Sequence, residues 1–528
     1  MKKIIILTML LSGLFITSCN DRLDLNPTDQ VSGESMMDNT QTAAVALNGI
    51  YRFMFEFGQT TTGNTHQCFG PLSYTLMAEI MGEDLIMDDQ GSGWFWYDYT
   101  YAVKSRYTSS TWRSYDIWNF YYMIIANANY IIAAKETMQG LKADVNNIVG
   151  QAYALRAYSY HNLAVMFSRT FIGHQSEKCV PIYLEPTSAQ TEGQPRSTVA
   201  EVYALVRADI DTAVNRLTAY GVNNSSASSH KSHIDYRVAN MFKADICLTT
   251  NEWNEAALAA QRAQAGLAVG EPADVVAAKG VKSSFNDASK KNVMWGAIII
   301  LDQTTTNPQF MSHMDSDQDS YASIGSGAPK KINTWLYGKL GTNDIRRAWW
   351  DRQNPDVAYI QEKFKFYDYE NWMADRIYMR VEEAVLVEAE ALCRAGDETG
   401  AKAALMKLMS KRDPSYTTSK TGTALGALTH IETNSLLEEI LIQRRIELWG
   451  EHGRIYDIKR LKQGFVRTAA MGHPALGVSA LNTLKTDNPE TYDWVLTIPV
   501  SEFNANKTLG EATEIVPGGN QNPIGSGI

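Results

Sequence analysis

The chain has 528 residues, 45% of them hydrophobic, which is long enough to form a large core. Its formal net charge is −10, and it has no long run of Lys and Arg, so it is unsuited to binding nucleic acid or anionic lipid by charge attraction. The five cysteines are widely spaced without a CxxC pair, so the sequence does not require a disulfide framework.

The N-terminus has the pattern of a bacterial export signal. Lys2 and Lys3 precede an apolar run, residues 4–16, that is too short to span a bilayer. The small residues Thr17 and Ser18 then stand directly before Cys19, as in a lipoprotein cleavage site. We predict a signal peptide over residues 1–18, acylation of Cys19 and a polar tether over residues 19–39. An ordinary signal with a cysteine near its cleavage site is the alternative.

Apolar residues at helical spacing predict long helices along much of the remaining chain. The first begins near Trp112 and ends at Gly140, and the next carries apolar residues from Ile148 to Met166. Thr198 and Glu201 then form the capping-box pattern that opens a third helix.

The later helices come in pairs. Residues 236–249 and 253–267 predict a tight antiparallel pair, residues 376–395 and 397–410 predict another, and Ser435 opens the last long helix. Helix pairs of this length indicate a tetratricopeptide-like scaffold. The stretches between them are rich in loops, and long insertions of this kind are typical of functional segments. These stretches are residues 58–110, 171–196, 270–375 and 416–432.

Several blocks of sequence, in order along the chain, together resemble one known family. Residues 436–460 (LLEEILIQRRIELWGEHGRIYDIKR) are similar to an "IL-x-x-RR-x-EL" helix followed by "G-x-R-x-x-D-L-x-R". Residues 150–163 (GQAYALRAYSYHNL) match a "G-x-A-x-x-LRA-x-x-Y-x-x-L" block, and residues 498–502 match a closing "IP-x-x-E". These are features of the SusD/RagB family of Bacteroidetes outer-membrane lipoproteins. One departure is residues 168–170 (SRT), where the family usually has a "G-x-[VI]-P" turn.

The resemblance implies a mainly α protein with about four tetratricopeptide-like helix pairs and a loop-rich lobe that carries short helices and small strands. We therefore expect a single body over residues 40–528. Its N-terminal half is residues 40–270, its binding lobe residues 271–375, and its C-terminal part, with one further helix pair and the signature helix, residues 376–528.

The resemblance also implies a partner and a location. The partner is a SusC-like TonB-dependent β-barrel transporter, over which the lipoprotein sits as a lid that passes oligosaccharides to the pore. The protein is then anchored by lipid in the outer membrane and faces the cell exterior. No catalysis and no cofactor are expected.

Aromatic residues on loops are the candidates for sugar binding, because sugar rings have apolar C–H faces that stack on aromatic planes. Carboxylates and amides nearby supply hydrogen bonds to the hydroxyl groups. Packing in the core is the alternative for each ring, since large aromatic side chains are usually buried. The predicted ligand-binding residues are Trp94, Trp96 and Tyr97 with Asp88, Asp89 and Gln90, and in a second stretch Tyr321 and Trp335.

Asp315, Asp317 and Asp319 have the spacing that begins a calcium loop, but Ser320 and Ser326 replace the glycine and glutamate that an EF-hand requires. A loosely bound Ca²⁺ is the remaining option for this cluster.

The chain has no H-E-x-x-H, G-x-S-x-G, phosphate-loop or G-x-G-x-x-G motif, which argues against an enzyme. The alternatives to a glycan-binding protein are a RagB-like lid for peptides and an extracellular hydrolase. Mucin glycans, plant polysaccharide and starch all remain open as ligands.

Overall fold

The computed structural model describes residues 35–58, 64–102, 112–188, 190–220, 231–325, 327–351, 358–510 and 519–523. The predicted signal peptide, Cys19 and the tether up to residue 34 lie outside these ranges. The last part of the predicted tether is ordered structure, because Ser35–Met37 form a 3₁₀ turn in which Met37 is buried. Within the described ranges, no helix combines the length and apolar character needed to cross a membrane.

Helices form most of the regular structure, which confirms the mainly α prediction. In chain order they are α1 (Thr40–Phe55), α2 (Pro71–Met81), α3 (Trp96–Tyr99), α4 (Trp112–Ala133), α5 (Lys142–Phe167), α6 (Val199–Tyr220), α7 (Tyr236–Thr249), α8 (Trp253–Ala263), α9 (Phe310–Met314), α10 (Thr334–Tyr337), α11 (Val381–Arg394), α12 (Glu398–Arg412), α13 (Leu436–Glu447), α14 (Arg454–Leu461), α15 (Ala475–Ser479) and α16 (Val500–Ala505).

The strands are short and pair two by two. They are β1 (Leu85–Met87), β2 (Lys178–Pro181), β3 (Arg196–Thr198), β4 (Val293–Ala297), β5 (Lys330–Ile332) and β6 (Arg376–Arg380). The pairs β1–β5, β2–β3 and β4–β6 are all antiparallel. In β1–β5, Leu85 stands opposite Ile332 and Met87 opposite Lys330. This ribbon joins two segments that are far apart in the sequence.

The long helices stack side by side along the chain, as the tetratricopeptide-like pattern predicts. Helix α4 packs on α5, α5 on α6, α6 on α7, α7 on α8, α8 on α11, and α11 on α12. The buried face of α8 consists of alanines, which let neighbouring backbones approach closely. The stack therefore continues across the loop-rich segment between α8 and α11.

Two of the predicted helix starts are confirmed in atomic detail. The Thr198 N–H donates to Glu201 Oε2 at 2.7 Å, and the Glu201 N–H donates back to Thr198 Oγ1 at 3.2 Å. This reciprocal pair is the predicted capping box. Ser435 Oγ accepts from the Glu438 N–H at 3.0 Å at the start of α13.

Some predicted boundaries were wrong. Helix α2 lies inside the stretch interpreted as loop, because all of its residues except Thr75 are buried and no polar face reveals the helical period. Gly70, at φ +77°, precedes it, and a Cβ there would lie 1.9 Å from the Met54 carbonyl oxygen. Residues 376–380 form β6 instead of the first turn of a helix, and α8 ends at Ala263.

A buried ion cluster around Glu447 joins α13 to three other elements. Its carboxylate lies 3.2 Å from Arg380 of β6, 3.0 Å from Arg412 of α12 and 3.4 Å from Arg346. All four side chains are fully buried. Burial opposes ionisation of Glu447, but Arg412 and Arg380 outweigh it and hold the pKa of the carboxyl well below its usual range.

A second buried pair fixes the β1–β5 ribbon to α13. Arg445 donates from Nε to Asp84 Oδ2 at 2.8 Å and from a terminal nitrogen to Asp84 Oδ1 at 2.6 Å. The Asp84 carbonyl oxygen accepts from the Trp449 indole at 2.9 Å and from the Asn333 N–H at 3.0 Å. We call this arrangement the Arg445–Asp84 clamp, because it holds the start of β1 and the end of β5 against one turn of α13.

The clamp also includes Glu83, whose carboxylate lies 3.1 Å from Arg445 and 3.0 Å from Arg454. Burial disfavours the charged form, but the two guanidinium groups outweigh it and lower the pKa of Glu83 to about 2. The ion pairs are therefore charged at neutral pH.

Arg445→Ala should lower the free energy of unfolding by about 3–5 kcal/mol, the typical cost of breaking a buried ion pair and stranding its partner. Urea denaturation measures this. Arg52→Ala is the control, because Arg52 pairs with Glu56 while its side chain is 69% exposed, and its loss should cost less than about 1 kcal/mol. Equal costs for the two variants would contradict a structural role for the clamp.

Glu79 links α2 to the exit of α13. Its carboxylate accepts from the Gly450 N–H at 2.8 Å and from the Arg454 N–H at 2.7 Å. Burial raises the pKa of Glu79 to about 7, although these backbone donors lower it in part. Between pH 4.5 and 7 the folded protein therefore holds a proton that the unfolded chain releases.

The stability of the wild type relative to Glu79→Gln should fall as the pH rises from 4.5 to 7, by about 3 kcal/mol in all, and stay constant above pH 7. Urea unfolding at pH 5, 6, 7 and 8 tests this. A difference between the two proteins that does not change over this range would show that Glu79 titrates normally in the folded state.

Candidate ligand-binding site

Three half-buried rings meet beyond one end of the β1–β5 ribbon. The rings of His66 and Trp94 stack with centroids 5.0 Å apart and planes 19° apart. Tyr321 meets Trp94 edge-on at 5.7 Å, and its hydroxyl is hydrogen-bonded to His66 Nδ1. We call His66, Trp94 and Tyr321 the aromatic cluster. Because each ring contacts the other two, their orientation is fixed while part of each surface stays accessible.

A buried floor supports the aromatic cluster. His313 lies 4.8 Å from the Tyr321 ring, stacks on Phe69 at 5.4 Å and meets Phe95 edge-on at 4.9 Å. Its Nε2–H donates to the His66 carbonyl oxygen at 2.8 Å. Burial, together with the nearby charge of Lys330, holds the pKa of His313 well below its usual range. The His313 ring is therefore uncharged at neutral pH.

The loop that carries Trp94 is shaped by its own backbone. Asp89 Oδ1 accepts from the Gly91 N–H at 2.8 Å, and the Gln90 carbonyl oxygen accepts from the Gly93 N–H at 2.8 Å. A Cβ on Gly91, at φ +48°, would lie only 2.9 Å from the Ala328 Cβ. The missing side chain thus lets this loop pack against the segment that leads into β5.

The structure brings several predicted binding residues together. Trp94 and Tyr321, from two separate stretches, form two thirds of the aromatic cluster. Asp89 and Gln90 are exposed in the turn just before Trp94, and Tyr97 is 42% exposed. The Asp88 carboxylate forms an ion pair with Lys331 of β5 instead of facing solvent freely.

The structure places two predicted residues elsewhere. Trp96 is only 7% exposed and packs on Tyr99 with ring centroids 5.6 Å apart, because Phe95 adopts a left-handed conformation (φ 62°) and α3 turns Trp96 inward. Trp335 lies beyond the other end of β5, where Lys339 Nζ is 4.6 Å and the Arg445 guanidinium 4.9 Å from its ring. Neither residue belongs to the aromatic cluster.

The sequence alone does not single out His66, Phe69 or His313. His66 and His313 are 247 positions apart, and neither lies in a recognisable motif. Their proximity results from the tertiary fold, which brings distant segments together, and no local sequence pattern indicates it.

The acidic cluster has a structural role. Asp315 accepts from the Phe366 N–H at 2.9 Å and from the Tyr369 hydroxyl at 2.6 Å, and Asp317 lies 2.6 Å from Lys365 Nζ. In the part of the chain that the structure describes, no group of three or more His, Cys, Asp or Glu side chains is arranged to hold a metal ion.

Two family models match the chain. The SusD-like model described as "Starch-binding associating with outer membrane" matches residues 76–232, and the SusD family model matches residues 312–514. The first match contains Trp94 and the second contains Tyr321 and α13. The chain belongs to the SusD/RagB family. Members of this family are binding proteins. The chain is therefore a nutrient-binding protein associated with the outer membrane.

Relatives of this SusD/RagB protein match it over almost its whole length. The SusD-like protein P2 of Formosa agariphila is 21% identical, over 95% of this chain and 98% of that protein. The crystal structure of a SusD-like carbohydrate binding protein from Bacteroides vulgatus is 25% identical with a TM-score of 0.72, covering 89% of this chain and 97% of that one. Surface glycan-binding protein A from Bacteroides fluxus shares the fold at 17% identity with a TM-score of 0.61, covering 92% and 99%.

Proposed function

We propose that this SusD/RagB protein captures oligosaccharides at the cell surface by stacking sugar rings on the aromatic cluster. The half-exposed faces of Trp94, Tyr321 and His66 are the observation that carries this proposal. Their mutual contacts hold the rings in one orientation, so little conformational entropy is lost when a sugar binds. The carbohydrate-binding relative from Bacteroides vulgatus supports the choice of ligand class.

The polar groups beside the rings fit the same ligand. Asp89 and Gln90 are exposed one turn before Trp94, where a carboxylate and an amide can accept and donate hydrogen bonds to sugar hydroxyl groups. His313 in the floor beneath the rings stays neutral, so this side chain offers no charge to a ligand. The proposed ligand is therefore a neutral saccharide, held by stacking and oriented by the turn.

Replacing both Trp94 and Tyr321 by Ala should weaken binding of the recognised oligosaccharide at least tenfold, since both stacking surfaces are lost. Titration calorimetry or affinity electrophoresis against a panel of mucin, plant and starch oligosaccharides measures this. The double variant should remain folded, because both rings are only half-buried.

The matched control is Trp253→Ala, which removes a half-buried tryptophan from α8 beside Arg394. It should leave glycan affinity unchanged. Wild-type affinity in the Trp94 and Tyr321 double variant would refute the proposed site. Binding of peptides without binding of glycans would favour a peptide-binding lid, and release of reducing sugar would favour a hydrolase.

We further propose that the protein is tethered through acylated Cys19, faces the cell exterior and delivers its ligand to a SusC-like TonB-dependent β-barrel transporter. Support comes from the small residues before Cys19 and from the outer-membrane description of the matching family.

Cys19→Ser should move the protein from the membrane fraction to the soluble fraction of fractionated cells. Retention in the membrane would contradict lipid anchoring, and failure of the wild type to co-purify with a β-barrel transporter would contradict delivery.

A further inference from the structure

A cavity of about 130 Å³ lies between the scaffold helices and shares no lining residue with the aromatic cluster. One face of α5 and one face of α7 form two of its walls, each with the i, i+3, i+4, i+7 spacing of a helix face. Elements α2, α6, β4, β6, α11 and α14 contribute further residues, together with the loop residues 168–170 and 451–452. The residues of the two helix faces are Tyr158, His161, Asn162 and Val165 on α5, and Phe242, Asp245, Ile246 and Thr249 on α7.

Asp245 is the unusual member of this lining. Among the residues that the structure describes, no cation forms an ion pair with its carboxylate and no donor hydrogen-bonds to it. Burial, followed by the nearby charge of Glu383, raises the pKa of Asp245 to about 7. The more distant charges of His452, Arg444 and Arg460 lower this pKa in part without forming an ion pair with the carboxylate. An ionised carboxylate in such a place is costly until a cation reaches it.

The other two acids of the lining are already neutralised. Glu383 lies 2.6 Å from His452 Nδ1, and Glu451 lies 2.6 Å from Arg380. The ammonium group of Lys459 donates instead to the carbonyl oxygens of residues 165 and 168. Among the described residues, a direct ion pair with the Asp245 carboxylate is therefore left for a cationic ligand to make.

Another part of the lining combines aromatic side chains with buried polar atoms that lack hydrogen-bond partners within the described structure. Tyr158 and Phe242 stack at 4.9 Å, and Trp295 meets both edge-on. Within the described residues, the Trp295 indole nitrogen and the Tyr378 hydroxyl have no hydrogen-bond partner, and Trp295 is 2% exposed. Aromatic walls of this kind favour cations as well as apolar groups.

We infer that this cavity binds a small primary amine, with its ammonium group on Asp245 and its body against the aromatic wall. A ligand of about six non-hydrogen atoms suits the volume, since a cavity of roughly 150 Å³ accommodates benzene. A hydroxyl group on the ligand would give the Trp295 indole an acceptor. This site is independent of the proposed glycan site.

The probe is 4-amino-1-butanol, and its matched control is 1,4-butanediol, which has the same number of heavy atoms but no ammonium group. Saturation-transfer NMR and the shift in melting temperature measure binding. The amine should bind at least tenfold more tightly than the diol. Equal binding of the two, or no binding of the amine at millimolar concentration, would overturn the inference and leave a hydrated cavity.

Asp245→Asn keeps the shape of the side chain and removes its charge, so it should abolish the preference for the amine. It should not unfold the protein, because the charge that it removes forms no ion pair with any residue that the structure describes. Asp211→Asn is the control, because Asp211 pairs with Lys243 and is 55% exposed, and amine binding should persist in it. Unchanged amine binding in Asp245→Asn would overturn the inference.

The Trp94 and Tyr321 double variant separates the two sites. It should lose oligosaccharide binding and keep amine binding. If the double variant lost amine binding as well, the amine would be binding at the aromatic cluster, and the cavity assignment would be wrong.

Discussion

The bidentate ion pair between Arg445 and Asp84 is the contact through which the scaffold positions the aromatic cluster. It is almost completely buried, and the backbone of Asp84 is held at the same point by Trp449 and Asn333. Two planar hydrogen bonds in a low-dielectric environment fix direction as well as distance. The β1–β5 ribbon starts from this point and ends at the aromatic cluster, so the geometry of the rings depends on a contact made at the opposite end of the ribbon.

The residues that made the family recognisable have a structural explanation. In α13 and α14, Arg444 pairs with Asp457, Arg445 with Asp84, Glu447 with three arginines, and Arg460 with Glu390 of α11. None of these side chains is in the aromatic cluster. The signature therefore describes how the C-terminal helices hold the helical stack and the loop-rich segments together.

The sequence predicted the scaffold well because its determinants are local. Amphipathic spacing and capping residues such as Thr198 and Ser435 act within a few positions, whether or not the rest of the chain has folded. Helix α2 was missed because it is buried on nearly every side. Trp96 was assigned to the site because a sequence does not reveal that Phe95 adopts a left-handed backbone. The pairing of His66 with His313 depends on tertiary structure alone.

The turn that precedes Trp94 is separate from the elements that hold the fold together. Asp89 and Gln90 are exposed and make local hydrogen bonds within the turn, whereas Trp94 rests on rings anchored from other segments. Amino-acid replacements at this tip would therefore change the surface beside Trp94 at little thermodynamic cost to the body. An exposed turn of this kind can vary its side chains while the architecture that holds the aromatic cluster stays constant.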